Sequence, residues 1–268
     1  NAQPPDRSTY TDATLQAGWE TRHGGEGWSI ESQANVVGSS HRPEALTFST
    51  LGNDAPKVDL ATYRVQVLIT EGERNTTLTA GQVQVGDHPL LANGLSQRGL
   101  VLAHRVGERF DISASVQNGS EVVGARNLLG LADAGHRMST LAGHVELMDR
   151  PGGLRLGTTV FDGAVRSAPG LGVATLQDDE RSRGWGLQLR SQSAGGRVRA
   201  DLAYARSRYA ALGQSGQSVV APPVVEGDSW MLRMEADLLR TAPIAGGREL
   251  NLSVDAQHDR ASAQYKSL

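Results

Sequence analysis

Residues Ser182–Arg206 read SRGWGLQLRSQSAGGRVRADLAYAR. In the first half, Trp185, Leu187 and Leu189 fall on one side, with Gly186, Gln188, Arg190 and Gln192 on the other. Successive strand side chains point to opposite faces, so this alternation specifies a strand. After the turn signal Ala194-Gly195-Gly196, Val198, Ala200, Leu202 and Tyr204 share a face opposite Arg199, Asp201, Ala203 and Ala205. The two halves make a hairpin with one apolar and one polar face. Each strand has about ten residues, the length that crosses a bilayer at a tilt.

The unit recurs along the chain. Tyr10–Arg22 carries Ala13, Leu15, Ala17 and Trp19 in phase, and Trp28, Ile30, Ala34 and Val36 follow the turn at His23–Gly27. The second hairpin runs over Leu60–Thr70 and Thr76–Val85, with a phase change that calls for a bulge near Gly81. The third runs over Gln97–Arg105 and Phe110–Gln117, the fourth over Met138–Met148 and Leu154–Phe161, and the sixth over Trp230–Leu239 and Leu250–Gln257. Six hairpins give twelve expected strands in one domain, residues 1–268. Turns within hairpins are short. The connections between them, Gly38–Val58, Gly86–Ser96, Asn118–Arg137, Asp162–Arg181 and Ser207–Asp228, read as long loops.

Composition bounds the function. The chain has 268 residues, 32 Gly, no Cys, 38% hydrophobic residues and a net charge of −3. It has no long apolar run of the kind a membrane helix requires, but membrane strands show lipid only every second residue and escape that test. The charge gives no support for nucleic-acid binding. The absence of Cys excludes disulfides and thiolate metal sites, and suits an oxidising compartment.

Alternation, strand length and the short-turn, long-loop asymmetry together resemble a bacterial outer-membrane β-barrel. The resemblance covers the whole length and names a class, since no diagnostic motif accompanies it. It implies an all-β, antiparallel up-and-down transmembrane barrel, localised to the bacterial outer membrane. About twelve strands are present here, and the end at Tyr265-Lys266-Ser267-Leu268 suggests a segment of a larger barrel ahead of a closed twelve-strand one. The expected partners are outer-membrane lipid, with other subunits or the remainder of such a barrel, and no nucleic acid.

Two residue sets follow. Glu20, Glu31, Asp111, Glu146, Asp201, Glu235, Asp237 and Asp255 share the polar face with Arg64, Arg105, Arg155, Arg190, Arg199 and Arg233. In a barrel they line a hydrated lumen, where opposite charges pair across strands. In a soluble sandwich the same face is the solvated exterior, and periodicity does not separate the two. Trp19, Trp28 and Phe110 lie on the apolar face near short turns, and Tyr63, Trp185, Tyr204 and Trp230 near long loops. Two aromatic girdles at the membrane interfaces would look like this.

No catalytic or metal constellation emerges. The seven His residues (His23, His41, His88, His104, His136, His144, His258) form no His-Glu-x-x-His pair, and no Gly-x-Ser-x-Gly elbow occurs. His144 beside Glu146 reads as a wall residue. The expectation is a non-enzymatic, cofactor-free passive channel or export conduit with a charge-balanced lumen. The alternatives are a membrane-anchored scaffold without conductance, and a soluble extracellular β-sandwich that binds carbohydrate.

Overall fold

The computed structural model describes residues 13–39, 58–119, 124–132, 134–165, 180–211, 224–244 and 248–266. They form twelve strands: β1 (Thr14–Gly25), β2 (Trp28–Ser39), β3 (Val58–Glu71), β4 (Arg74–His88), β5 (Ala92–Val106), β6 (Phe110–Asn118), β7 (Arg137–Glu146), β8 (Leu154–Val165), β9 (Glu180–Gln192), β10 (Val198–Ala211), β11 (Val224–Ile244) and β12 (Arg248–Ala261). All pair antiparallel in one sheet, in chain order from β1 to β12. Two 3-10 turns, Ala125–Asn127 and Ala134–His136, lie between β6 and β7. Lengths run from 9 residues in β6 to 21 in β11. A 12-residue strand such as β1 is roughly 40 Å long at its usual rise.

The sheet curls. His88 Nε2 at the end of β4 donates to the carbonyl of Leu187 in β9, 3.2 Å away and five strands along. Among the described residues β1 and β12 do not pair, so the sheet stays open between its edge strands. Every residue of β1 is exposed. The architecture is therefore an all-β antiparallel meander, not closed into a barrel.

Burial runs opposite to that of a water-soluble sandwich. Thirty large apolar side chains are exposed among the described residues, while only Val83, Val85, Leu91, Met138 and Phe161 are buried. Buried instead are Thr140, His144, Thr159, Ser182, Gln188 and Ser207, together with Ala203 and Ala205. The face that the sequence marks as polar lies inside the curl, and Leu141, Val160, Leu202 and Val254 point outward.

The bulge expected near Gly81 is corrected: β4 pairs with β5 without a register shift from Arg74↔Val106 to Val85↔Leu95, and Thr79, Val83 and Val85 share one buried phase opposite the exposed Leu78. Gly81 has φ +104°, a conformation open to glycine, and a Cβ there would strike the Tyr63 carbonyl. The β3–β4 ladder ends at Arg64↔Gly81. Val83 and Val85 keep the inward phase of Thr79, so the apolar residues, not the backbone, change face along β4. An irregularity between β2 and β3 leaves Ala61 as an extra residue between the pairs Asn35↔Thr62 and Val36↔Leu60.

One expected loop is corrected. Residues 86–96 are not a long connection: β4 and β5 pair up to Asp87↔Asn93 and His88↔Ala92, and only Pro89–Leu91 turn. The His88 ring fixes that turn, because its Nδ1 accepts from the Leu90 N–H at 3.3 Å. The loops 38–58, 162–181 and 207–228 lie largely outside the described residues.

Candidate functional site: the inward polar face

The inward face carries a charged band near the short-turn end. Cross-strand register puts Asp111 beside His144 and Glu146 beside Arg155. His144 Nδ1–H donates to Asp111 Oδ2 at 2.9 Å. Arg155 bonds Asp111, and its Nη1 reaches Glu146 Oε1 at 3.0 Å. The second Glu146 oxygen accepts the Gly152 N–H at 3.1 Å. The Glu146 side chain is only 4% exposed, so this carboxylate depends on these donors for the solvation that water no longer supplies.

The band continues across β9–β12. Arg155 and Arg190 are direct cross-strand neighbours of like charge. Arg190 donates to Gln188 Oε1 at 2.7 Å, and Gln188 Nε2 donates to both Asp201 oxygens at 2.8–2.9 Å. Asp201 faces Arg233 across the next ladder. Arg233 then reaches Glu235 at 2.9 Å and Asp255 at 3.2 Å, and Arg199 reaches Glu235 at 3.5 Å. Asp237 marks a register shift between β11 and β12. At the other edge Arg22 pairs with Glu31 at 2.6 Å, and Arg64 bonds Gln66 beside Glu20 and Glu31. Arg105 pairs in register with Asp111. The fourteen acidic and arginine residues singled out in the sequence thus lie on one face, and the register brings Glu31, Asp111, Glu146, Arg155, Arg199, Arg233, Glu235 and Asp255 into ion pairs. Sequence reasoning did not single out Arg22, which belongs to the same band.

The long-loop half of the inward face is filled. The Pro89–Leu91 turn folds onto β9: the His88 ring packs on Gly186, and Leu91 packs on Gly184, where a Cβ would collide with each. Tyr265 bonds the Leu90 carbonyl and packs on Gly227. His88 and Leu91 are almost fully buried. Small residues, Gly184, Gly186, Ala203, Ala205 and Gly227, make the seat.

The aromatics divide differently from the sequence expectation. Trp28 and Phe110 do lie beside short turns, pairing with Gly25 and with Val106. Trp19 does not: it pairs with Ala34, which pairs with Tyr63, so Trp19 and Tyr63 occupy one row across mid-strand. Trp185 packs against Tyr204 at a tilt of 55° with ring centroids 5.5 Å apart, and Tyr204 pairs with Trp230. Tyr63 lies under the segment from Gly124 to Leu131, donating to the Leu128 carbonyl at 2.8 Å.

That segment is held by a residue the sequence reading missed. Arg98 is 2% exposed on the outward phase of β5. Its guanidinium donates to the carbonyls of Gly124 (2.9 Å), Leu60 (2.6 Å) and Ala61 (3.0 Å), and lies 5.4 Å over the Tyr63 ring. Asp59 Oδ1 receives the Ala125 N–H at 2.7 Å from the same segment. Charge-assisted bonds to a buried guanidinium are worth roughly 1.5–3 kcal/mol. Arg98→Ala is expected to lower stability by about that amount and to free the Gly124–Leu131 segment for proteolysis. A thermal melt and limited digestion check both effects, and an unchanged digestion pattern would count against the clamp.

Among the described residues no group of three or more His, Asp or Glu side chains is arranged to hold a metal ion, and no helix is long and apolar enough to cross a membrane. No protein-family model matches the chain. A search of curated proteins likewise finds no match.

Proposed function

We propose that the chain is an outer-membrane-type β-barrel that forms a passive, polar conduit. The observation that carries this reading is the inverted burial: large apolar side chains outward and exposed, with a band of charged side chains inward, eight of the fourteen singled out in the sequence in the ion pairs described above. Outward apolar residues would meet lipid, and the inward band would line a hydrated lumen. In hydrocarbon every backbone group needs a partner, so β1 and β12 must find one. They join to each other, or each takes up a further strand of a larger barrel. The near balance of the inward charges leads to weak ion selectivity.

Membrane fractionation and a gel-mobility test in detergent, with and without boiling, examine this reading. Recovery with the membrane and a shift on boiling are expected. A protein that is monomeric and soluble without detergent overturns it.

The inward turn favours a second reading, an anchor whose interior is too full to conduct. The two separate on one change. Replacing Pro89-Leu90-Leu91 by Asn-Gly would link His88 to Ala92 by a two-residue hairpin turn and withdraw Leu91 from the lumen. Under the conduit reading, single-channel conductance in a planar bilayer rises several-fold. Absence of conductance before and after the change supports the anchor.

A further inference from the structure

Past the row of Trp185, Tyr204 and Trp230, the outward face changes from apolar to charged. Asp162, Arg183, Arg208 and Glu226 are successive cross-strand neighbours over β8–β11. One row nearer the aromatics, Arg206 pairs with both Trp185 and Asp228. Each of two carboxylates is bracketed by two guanidiniums. Asp162 meets Arg181 at 3.2 Å and Arg183 at 2.9 Å, and Glu226 meets Arg206 at 3.0 Å and Arg208 at 3.7 Å. With Asp228, and with Arg260 opposite Trp230, the patch holds five cations against three anions.

These arginine side chains are 45–63% exposed. Ion pairs this open contribute little to folding, so stability does not account for the cluster. Each guanidinium offers five donors in a planar fork that matches phosphate oxygens as well as carboxylates, and the carboxylates engage only part of that set. Asp162, Arg183, Arg206 and Glu226 line an open depression together with Val160 and Trp185. Below it on the same face the exposed side chains are Leu187 and Leu202. Cationic forks thus stand directly above an aromatic row and an apolar column.

We propose that this patch binds the phosphate-bearing head groups of membrane lipids, with the acyl chains lying over Trp185, Leu187 and Leu202. The inference rests on the membrane reading above. Aromatic rows sit at the membrane–water boundary, and basic clusters at that level recruit anionic head groups. The apolar column beneath the arginines selects a lipid over a soluble anion, because a free phosphate would leave it uncovered.

Tryptophan quenching tests this in the full chain, with Trp19 and Trp28 changed to Phe so that only Trp185 and Trp230 report. The protein is reconstituted into neutral phosphatidylcholine vesicles containing a minor share of brominated phosphatidylglycerol, or the same share of brominated phosphatidylcholine. The anionic lipid should be enriched around the reporters by roughly tenfold over its bulk share. R183Q/R208Q should bring the two lipids to parity while the gel shift on boiling persists. Equal quenching by both lipids in the unsubstituted arginine background overturns the site and leaves the membrane reading standing. Loss of the enrichment on adding inorganic phosphate at constant ionic strength also overturns it, in favour of a soluble-anion site. Quenching by neither lipid, with no gel shift on boiling, overturns the membrane reading itself.

Discussion

Leu202→Arg is expected to abolish insertion into lipid while leaving a water-exposed sheet almost untouched. Leu202 sits at mid-strand in β10, 45% exposed, between Leu189 and Leu232 on the neighbouring strands. If that face meets water, a surface substitution costs within about 0.5 kcal/mol. If it meets the hydrocarbon midplane, an Arg costs about 2–4 kcal/mol, more than a tenfold loss in the folded, inserted fraction. The two environments differ by several times the error of an equilibrium unfolding measurement. Ser253, exposed on the inward phase of β12, is the control, because Ser253→Arg meets lumen water under the membrane reading. Folding yield in lipid vesicles, measured by the mobility shift on boiling, decides. Equal yields for the two variants would remove the main support for a lipid-facing exterior.

Arg155→Met is expected to have the second large effect, by a different route. It removes the cation shared by Asp111 and Glu146 and leaves the Glu146 carboxylate at 4% exposure with the Gly152 N–H as its remaining named donor. Removing one partner of a buried pair costs roughly 3–5 kcal/mol, because the other charge stays uncompensated. Arg155 itself is 20% exposed, so the lower end of that range is expected. Adding Glu146→Gln should restore much of the loss, since a neutral amide needs no counter-ion. Urea unfolding of the two single variants and the double variant forms the cycle that isolates this coupling. A double variant as unstable as the sum of the singles would mean that the band is a set of independent surface contacts.

The strands were legible because their signal is local. A period of two needs no knowledge of partners, so Trp185–Leu189 and Phe110–Val116 declare their faces at once. The bulge expected at Gly81 was not borne out, because Val83 and Val85 are apolar residues on the inward face and the strand keeps its alternation through Gly81. The turn at Pro89–Leu91 was misread because Gly86, Pro89 and Gly94 carry loop composition, whereas the pairing Asp87↔Asn93 depends on backbone register. The sandwich-or-barrel ambiguity was a question of which face lies inside the curl, which alternation does not encode. Arg98 did leave a trace: an arginine two residues before Leu100 and four before Leu102 interrupts an apolar phase. Its three carbonyl acceptors lie up to 38 residues away in sequence, so its role as a clamp became visible only with the fold. The Asp111–His144–Arg155–Glu146 group needed the β6–β7–β8 register before spacing became contact.

The seat of the Pro89–Leu91 turn has a kinetic consequence. The bond from His88 spans 99 residues and the bond from Tyr265 to Leu90 spans 175. Neither can form until strands made much later in the chain are in place, and closing loops of such length carries a large entropic cost before any contact rewards it. Neighbouring hairpins can zip early. The interior of the long-loop half can consolidate only at the end, when β9, β10 and the segment after β12 arrive together. Until then Leu90 and Leu91 stay uncovered and the outward leucines have no shelter, so the half-assembled sheet is the species most exposed to aggregation.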